Sequence, residues 1–175
     1  MFDEDAVLVE RYLAGDAPVF EILYGKYYDK VLAIARGIVL DADEAADTVQ
    51  EIFTLVYRHL GRFDRRSKFS TWLFRVAVNR SIQQARRLKY KMRQVPLNEA
   101  LGQTTGEDVN DAEVRVQEAL GKLSPQDRAL LTLFYWEEHS LQEIAETLKC
   151  GLNAAKTRLY RARERFRGVF EGGGS

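Results

Sequence analysis

Apolar residues recur at helical spacing along most of the chain. In residues 47–63, Val49, Ile52, Phe53, Val56 and Leu60 follow the i, i+3, i+4, i+7, i+11 series of an amphipathic helix. Residues 17–40 carry a longer stripe through Phe20, Leu23, Tyr24, Tyr27, Val31, Ile34, Ala35 and Ile38, whose tyrosines read as packing groups. A short helix over 5–14 precedes it and is stopped by Gly15; Asp16 is placed to cap the next helix, with Pro18 in its first turn. The acidic residues 41–46 form a turn leading into the helix of 47–63, where their carboxylates complement the helix dipole. No run alternates with the two-residue period of a strand, so the pattern predicts an all-α protein.

One stripe is broken. Phe69, Trp72, Leu73 and Val76 share a face, Asn79 and Arg80 interrupt it, and Ile82, Ala85 and Leu88 resume it on a rotated face. Ser81 and Gln84 have the spacing of a capping box. The spacing predicts two tandem helices, about 70–78 and 82–91, hinged at 79–81; one helix with a polar spot is the alternative.

Periodicity then fades, and Pro96, Gly102 and Gly106 stand among acidic residues. This predicts two small helical domains, residues 1–92 and 112–171, joined by a flexible linker over 93–111. In the second, a helix over 112–123 ends before Ser124 and Pro125, an N-cap and N1 pair that opens an apolar helix reaching Trp136. Ser140 and Glu143 form a capping box for a short helix with Ile144, Ala145 and Leu148 inward. After a turn at 149–151, a last helix keeps Ala155, Leu159, Ala162, Phe166 and Phe170 inward. A short helix, a tight turn and a basic second helix describe a helix-turn-helix. The glycine-rich residues 172–175 read as an engineered tail.

Charge changes the picture only through its sorting. The 175 residues hold 26 basic and 26 acidic side chains, so net charge is zero and argues against a general polyanion binder. Residues 65–93, however, carry ten basic residues and no acidic one, among them Arg75, Arg80, Arg86 and Arg87, interleaved with Phe69, Trp72, Phe74 and Tyr90. Such a helix suits gripping a nucleic-acid strand. The last helix adds Lys156, Arg158, Arg161, Arg163, Arg165 and Arg167, and its geometry puts Lys156, Thr157, Tyr160 and Arg161 on or beside one face away from the core. In a major groove those side chains could read base edges while the other arginines hold phosphates. On the helix of 47–63, Gln50, Glu51, Leu55 and Arg58 lie opposite the apolar stripe and permit a protein-docking surface, with Leu55 the exposed apolar member.

Catalytic chemistry is not visible. His59 and His139 are isolated, and no phosphate loop or nucleophile elbow occurs, so neither enzyme activity, cofactor nor metal is expected. The single Cys150 excludes an intramolecular disulfide and reads as a packing group. No apolar run spans a membrane and no signal peptide opens the chain, which predicts a cytoplasmic protein without membrane insertion.

Residues 47–64 (DTVQEIFTLVYRHLGRFD), 69–79 (FSTWLFRVAVN), 123–148 (LSPQDRALLTLFYWEEHSLQEIAETL) and 155–166 (AKTRLYRARERF) resemble, in order and spacing, an extracytoplasmic function sigma factor of the sigma-70 family. The resemblance implies a sigma domain 2, a sigma domain 4 and no domain 3. It implies binding to core RNA polymerase and promoter-specific initiation, with an anti-sigma factor as regulator. By this likeness Asp47, Gln50, Glu51 and Phe53 dock on the polymerase and Asn79 captures a flipped non-template base of the minus-ten element; the exposed Leu55 is added to the docking set, and Arg75, Arg80, Arg86 and Arg87 of the basic stretch to the strand-capture set. Lys156, Thr157, Tyr160 and Arg161 correspond to contacts with the minus-thirty-five element, and Arg158 of the same charge run is expected beside them. Asn153, Ala154 and Ala155 stand where the family usually has Gly-Thr-Val, and Asn153 is the residue expected to tolerate a left-handed turn there. A stand-alone helix-turn-helix regulator would need the last helix but not residues 47–93, and a helical interaction protein would need neither DNA surface.

Overall fold

The computed structural model describes residues 3–94 and 110–172. Among them the chain is helical throughout, with α1 at Glu4–Leu13, α2 at Val19–Val39, α3 at Ala42–His59 and α4 at Phe69–Gln94, a 3-10 turn at Leu60–Arg62 lying between the last two. α5 spans Asp111–Gly121, α6 Pro125–Leu131 with a π-helical extension at Thr132–Trp136, α7 Leu141–Thr147 and α8 Leu152–Gly172. The expected linker falls mostly at 95–109 and the expected tail mostly at 173–175, outside the described residues.

Local chemistry accounts for most boundaries. Asp3, Asp41 and Ser124 accept backbone N–H groups at the starts of α1, α3 and α6, and Ser140 and Glu143 close a reciprocal capping box on α7. Two expectations change here. The acidic turn is the first turn of α3 itself, because Asp41 caps it at 2.9 Å from the Glu44 N–H. Asp16 does not cap α2; its carboxylate takes Arg11 at 2.7 Å instead.

The first core forms around α2, whose Leu23, Val31, Ile34 and Ile38 meet Val49, Ile52 and Val56 of α3 and Leu73 and Ala77 of α4. Each fully buried aliphatic side chain contributes about 1.5–3 kcal/mol relative to exposure. α1 is tied on by Asp5, which accepts from the buried Tyr27 hydroxyl and from Lys26 Nζ at 2.6 Å. Burial and that carboxylate push the Tyr27 hydroxyl well above its ordinary pKa. In the second half, Leu130, Leu133, Ile144, Ala155, Leu159 and Ala162 are buried between α6, α7 and α8.

The tandem-helix expectation is overturned: α4 runs unbroken for 26 residues. Ser81 caps nothing; it is wholly buried and its hydroxyl has no partner, while Gln84 donates to Glu44 at 2.7 Å. The stripe rotates because α4 is packed from two sides. Leu73 and Ala77 belong to the first core, whereas Val78 and Ile82 turn towards Leu130 and Leu148 of the second half. A periodic break marks a change of neighbour here, not a helix end.

The two halves share one continuous apolar cluster. Gly37 of α2 lies so close to Thr132 that a Cβ added there would stand 2.6 Å from Thr132 Cγ2. The Phe74 ring meets His139 with centroids 5.1 Å apart. Arg75 donates to the Glu146 and Thr147 carbonyls at 2.8 and 3.2 Å. Those carbonyls end α7, where the helix dipole favours a cation.

Candidate nucleic-acid interface

α8 presents the surface its sequence foretells. Ala155, Leu159 and Ala162 are buried, which turns Lys156, Thr157, Arg158, Tyr160 and Arg161 outward into solvent. None of these five has a hydrogen-bond or ion-pair partner among the described residues, so their donors are free for a ligand. Arg165 differs: it holds the buried Asp127 through both carboxylate oxygens, at 3.0 and 2.8 Å, and fixes α8 against α6. The left-handed residue of the turn is Lys149, with φ 51°, and not Asn153, which is already inside α8. Phe166 and Phe170, expected inward, are half-buried and line an open groove with Leu131 and the exposed Trp136.

On α4, Asn79 is exposed although the helix around it is continuous. It borders two depressions, one against α3 beside Leu55, Trp72 and Arg80, the other facing α8. Arg86 and Arg87 are exposed and unpaired among the described residues. Arg75 and Arg80 are engaged within the protein, Arg75 with the α7 carbonyls and Arg80 with Glu51 and Gln83. The predicted set therefore divides into three free side chains and two already committed.

On α3, Asp47 and Gln50 are exposed, and Gln50 donates to the Tyr24 hydroxyl at 3.3 Å. Glu51 is exposed but paired with Arg80. Phe53 is not on this surface. It is 5 % exposed and sits against Tyr24, ring centroids 4.5 Å apart, because its place in the i, i+3, i+4 stripe turns it to the core. Leu55, expected to be exposed, is half-buried in the groove between α3 and α4.

The two cationic surfaces meet across a cleft of about 750 Å³ between α4 and α8. Asn79 and Arg86 stand on one wall and Arg158 and Arg161 on the other, with the apolar Leu130 and Leu148 among the residues lining it. Sequence periodicity did not reveal this juxtaposition; Gly37 of α2 marks a close approach between the halves, but Gly25 of the same helix has open space around it, so glycine in the stripe does not by itself locate the contact. Among the described residues, no helix is long and apolar enough to cross a membrane.

The chain matches the family described as sigma-70 region 2 over residues 23–90 and that described as sigma-70, region 4 over 113–166. It is 33 % identical to an RNA polymerase sigma-H factor of Pseudomonas aeruginosa, over 93 % of this chain and 91 % of the relative. It is 34 % identical to an ECF RNA polymerase sigma-E factor of Escherichia coli K12, over 91 % of each chain. In fold it is similar to CnrH, solved in complex with the cytosolic domain of CnrY, at a TM-score of 0.71, 22 % identity and coverage of 95 % of this chain and 96 % of that one. It is also similar to the sigma factor RpoE of Bartonella quintana, solved with the anti-sigma factor NepR, at a TM-score of 0.64, 21 % identity and coverage of 87 % and 96 %. A basic helix bearing Asn79, a helix-turn-helix with a free outer face, and relatives aligned over nine-tenths of its length make this chain an RNA polymerase sigma factor of the extracytoplasmic function group in the sigma-70 family.

Proposed function

We propose that this sigma factor docks on core RNA polymerase through the α3 face carrying Asp47, Gln50 and Glu51, and directs it to promoters read in two places. α8 enters the major groove of the minus-thirty-five element, with Lys156, Thr157, Tyr160 and Arg161 towards base edges and Arg158 towards phosphate. α4 receives the minus-ten non-template strand, Asn79 holding a flipped base while Arg86 and Arg87 neutralise the backbone. Extruding a base costs a few kcal/mol, which contacts to the captured base must offset. The observation that carries this reading is the pair of separate helix faces whose cationic side chains are exposed and unpartnered among the described residues. In this scheme residues 1–92 act on polymerase and the melted strand, 112–171 act on duplex, and 93–111 link them.

An anti-sigma factor is the natural regulator in this reading. The Bartonella RpoE is solved with the anti-sigma factor NepR, and CnrH with the cytosolic domain of CnrY; both resemble this chain in fold over most of its length.

The deciding experiment is run-off transcription with core polymerase on genomic fragments. Promoter-specific transcripts that require this chain are expected. Tight duplex binding without polymerase, and no transcripts, would replace the reading with a stand-alone helix-turn-helix regulator.

A further inference from the structure

We infer that Tyr24 of α2 is a positioning residue for polymerase docking, holding the Gln50 side chain in the orientation in which the α3 face engages its partner. The inference rests on the proposed docking role of Asp47, Gln50 and Glu51. Gln50 is exposed, and its Nε2 donates to the Tyr24 hydroxyl across 3.3 Å, from one helix to the next. An untethered glutamine on a helix surface samples several rotamers, and binding must order them. A hydrogen bond made before the partner arrives removes part of that cost.

Tyr24 suits this task because its ring is held. The side chain is half-buried, with its ring centroid 4.5 Å from that of Phe53 and 5.4 Å from that of Tyr28. Phe53 in turn belongs to the core, so the hydroxyl keeps a fixed place relative to α3. The bond uses one hydrogen of the Gln50 amide and one lone pair of the hydroxyl. It leaves the Gln50 carbonyl oxygen, the second amide hydrogen and the Tyr24 hydroxyl proton for a partner's polar groups, because neither side chain has another hydrogen bond among the described residues. Glu51 is held in parallel from the other flank, by Arg80 of α4. α3 packs on both α2 and α4, so each neighbouring helix fixes one side chain of the proposed docking face. The tyrosine stripe of α2, which spacing alone reads as packing, thus carries a polar role at Tyr24.

Tyr24→Phe removes the hydroxyl and keeps the ring on Phe53 and Tyr28. The Kd of the full chain for core RNA polymerase should rise ~3–5-fold, the scale of one lost neutral hydrogen bond, with the melting temperature unchanged. In a Gln50→Ala background the same substitution should add nothing, because the group it orients is gone. In nuclear magnetic resonance spectra of the isolated chain, the Gln50 side-chain amide should move to the position of a free glutamine in Tyr24→Phe. Unchanged affinity or an unmoved amide resonance in Tyr24→Phe overturns the inference. So does an equal loss in both backgrounds, or a loss that comes with a lowered melting temperature, since Tyr24 would then be a contact of its own or a packing residue. Gln50→Ala reports separately on the docking reading: if it leaves polymerase affinity intact, Gln50 is not a docking residue and both fall, whereas a loss in Gln50→Ala with none in Tyr24→Phe sinks the positioning role alone.

Discussion

Arg80 of α4 and Glu51 of α3 are locked together, with Arg80 Nε 2.6 Å from Glu51 Oε2 and a second guanidinium nitrogen on the same oxygen. This pair joins a residue assigned to strand capture to one assigned to polymerase docking. Its side chains are 23 % and 46 % exposed, so solvent screens it and the coupling should be small. A double-mutant cycle with Glu51→Gln and Arg80→Gln, read by chemical denaturation, should give a coupling of about 0.5–1 kcal/mol. A coupling above about 2 kcal/mol would make the pair a structural anchor between the helices.

Asn79 is exposed in mid-helix and makes no side-chain hydrogen bond among the described residues, so Asn79→Ala should leave stability unchanged or raise it by about 0.5 kcal/mol. Promoter opening, followed by permanganate footprinting, should fall while affinity for core polymerase holds. Equal loss of both would remove Asn79 from strand capture.

Arg161→Ala should weaken minus-thirty-five recognition by about 1–3 kcal/mol if the guanidinium makes a bidentate base contact. Competition between matched and mismatched duplexes measures this. A loss uniform across sequences would reassign Arg161 to phosphate.

Phe53→Ala should cost about 3–5 kcal/mol, because the ring fills the core between α2 and α3 against Tyr24 and Tyr28. Thermal melts should show the drop, and polymerase binding by the fraction still folded should persist. Normal stability with binding lost would return Phe53 to the docking surface.

His139 carries a pH dependence. Desolvation holds its imidazole below the ordinary value of 6.5, with Lys30 acting the same way and Glu143 opposing. Its Nδ1 is buried without a partner and its ring lies on Phe74. Between the lowered and the ordinary value the unfolded chain binds more protons, so the contribution is present above about pH 6.5 and is lost as pH falls below it. Glu137, raised by burial, works in the opposite sense as it titrates. Melting temperatures should therefore fall on acidification below about pH 6.5, and His139→Gln should flatten that part of the profile. An unchanged profile would show that the imidazole is not the group responsible.

Several site expectations failed for one reason: a periodicity gives faces but not their neighbours. The break at Asn79 and Arg80 looks like a hinge when α4 is imagined against one partner, and becomes an ordinary surface stripe once α6 and α7 pack on its other side. Leu55 moved inward for the same reason, since α4 closes over its flank of α3, whereas Phe53 is buried as its own place in the apolar stripe dictates and only the family likeness had put it on the docking surface. Where a helix has one buried face, as along Ala155, Leu159 and Ala162 of α8, the reading from spacing held, and it loosened only at Phe166 and Phe170, which are half-buried near the helix end.

What the amino-acid order determined unaided is whatever is local: helical type throughout, the caps at Ser124 and Ser140, the short helix and turn ahead of α8, and the sorting of cations onto two segments. Capping bonds and side-chain periodicity act within a few residues, so they are written into neighbouring letters. Only tertiary structure decided that α4 is one helix, that Arg80 belongs to Glu51 and that Arg75 reaches α7. These depend on groups 29 and 71 positions apart, brought together by burial of a shared apolar core that no local signal encodes.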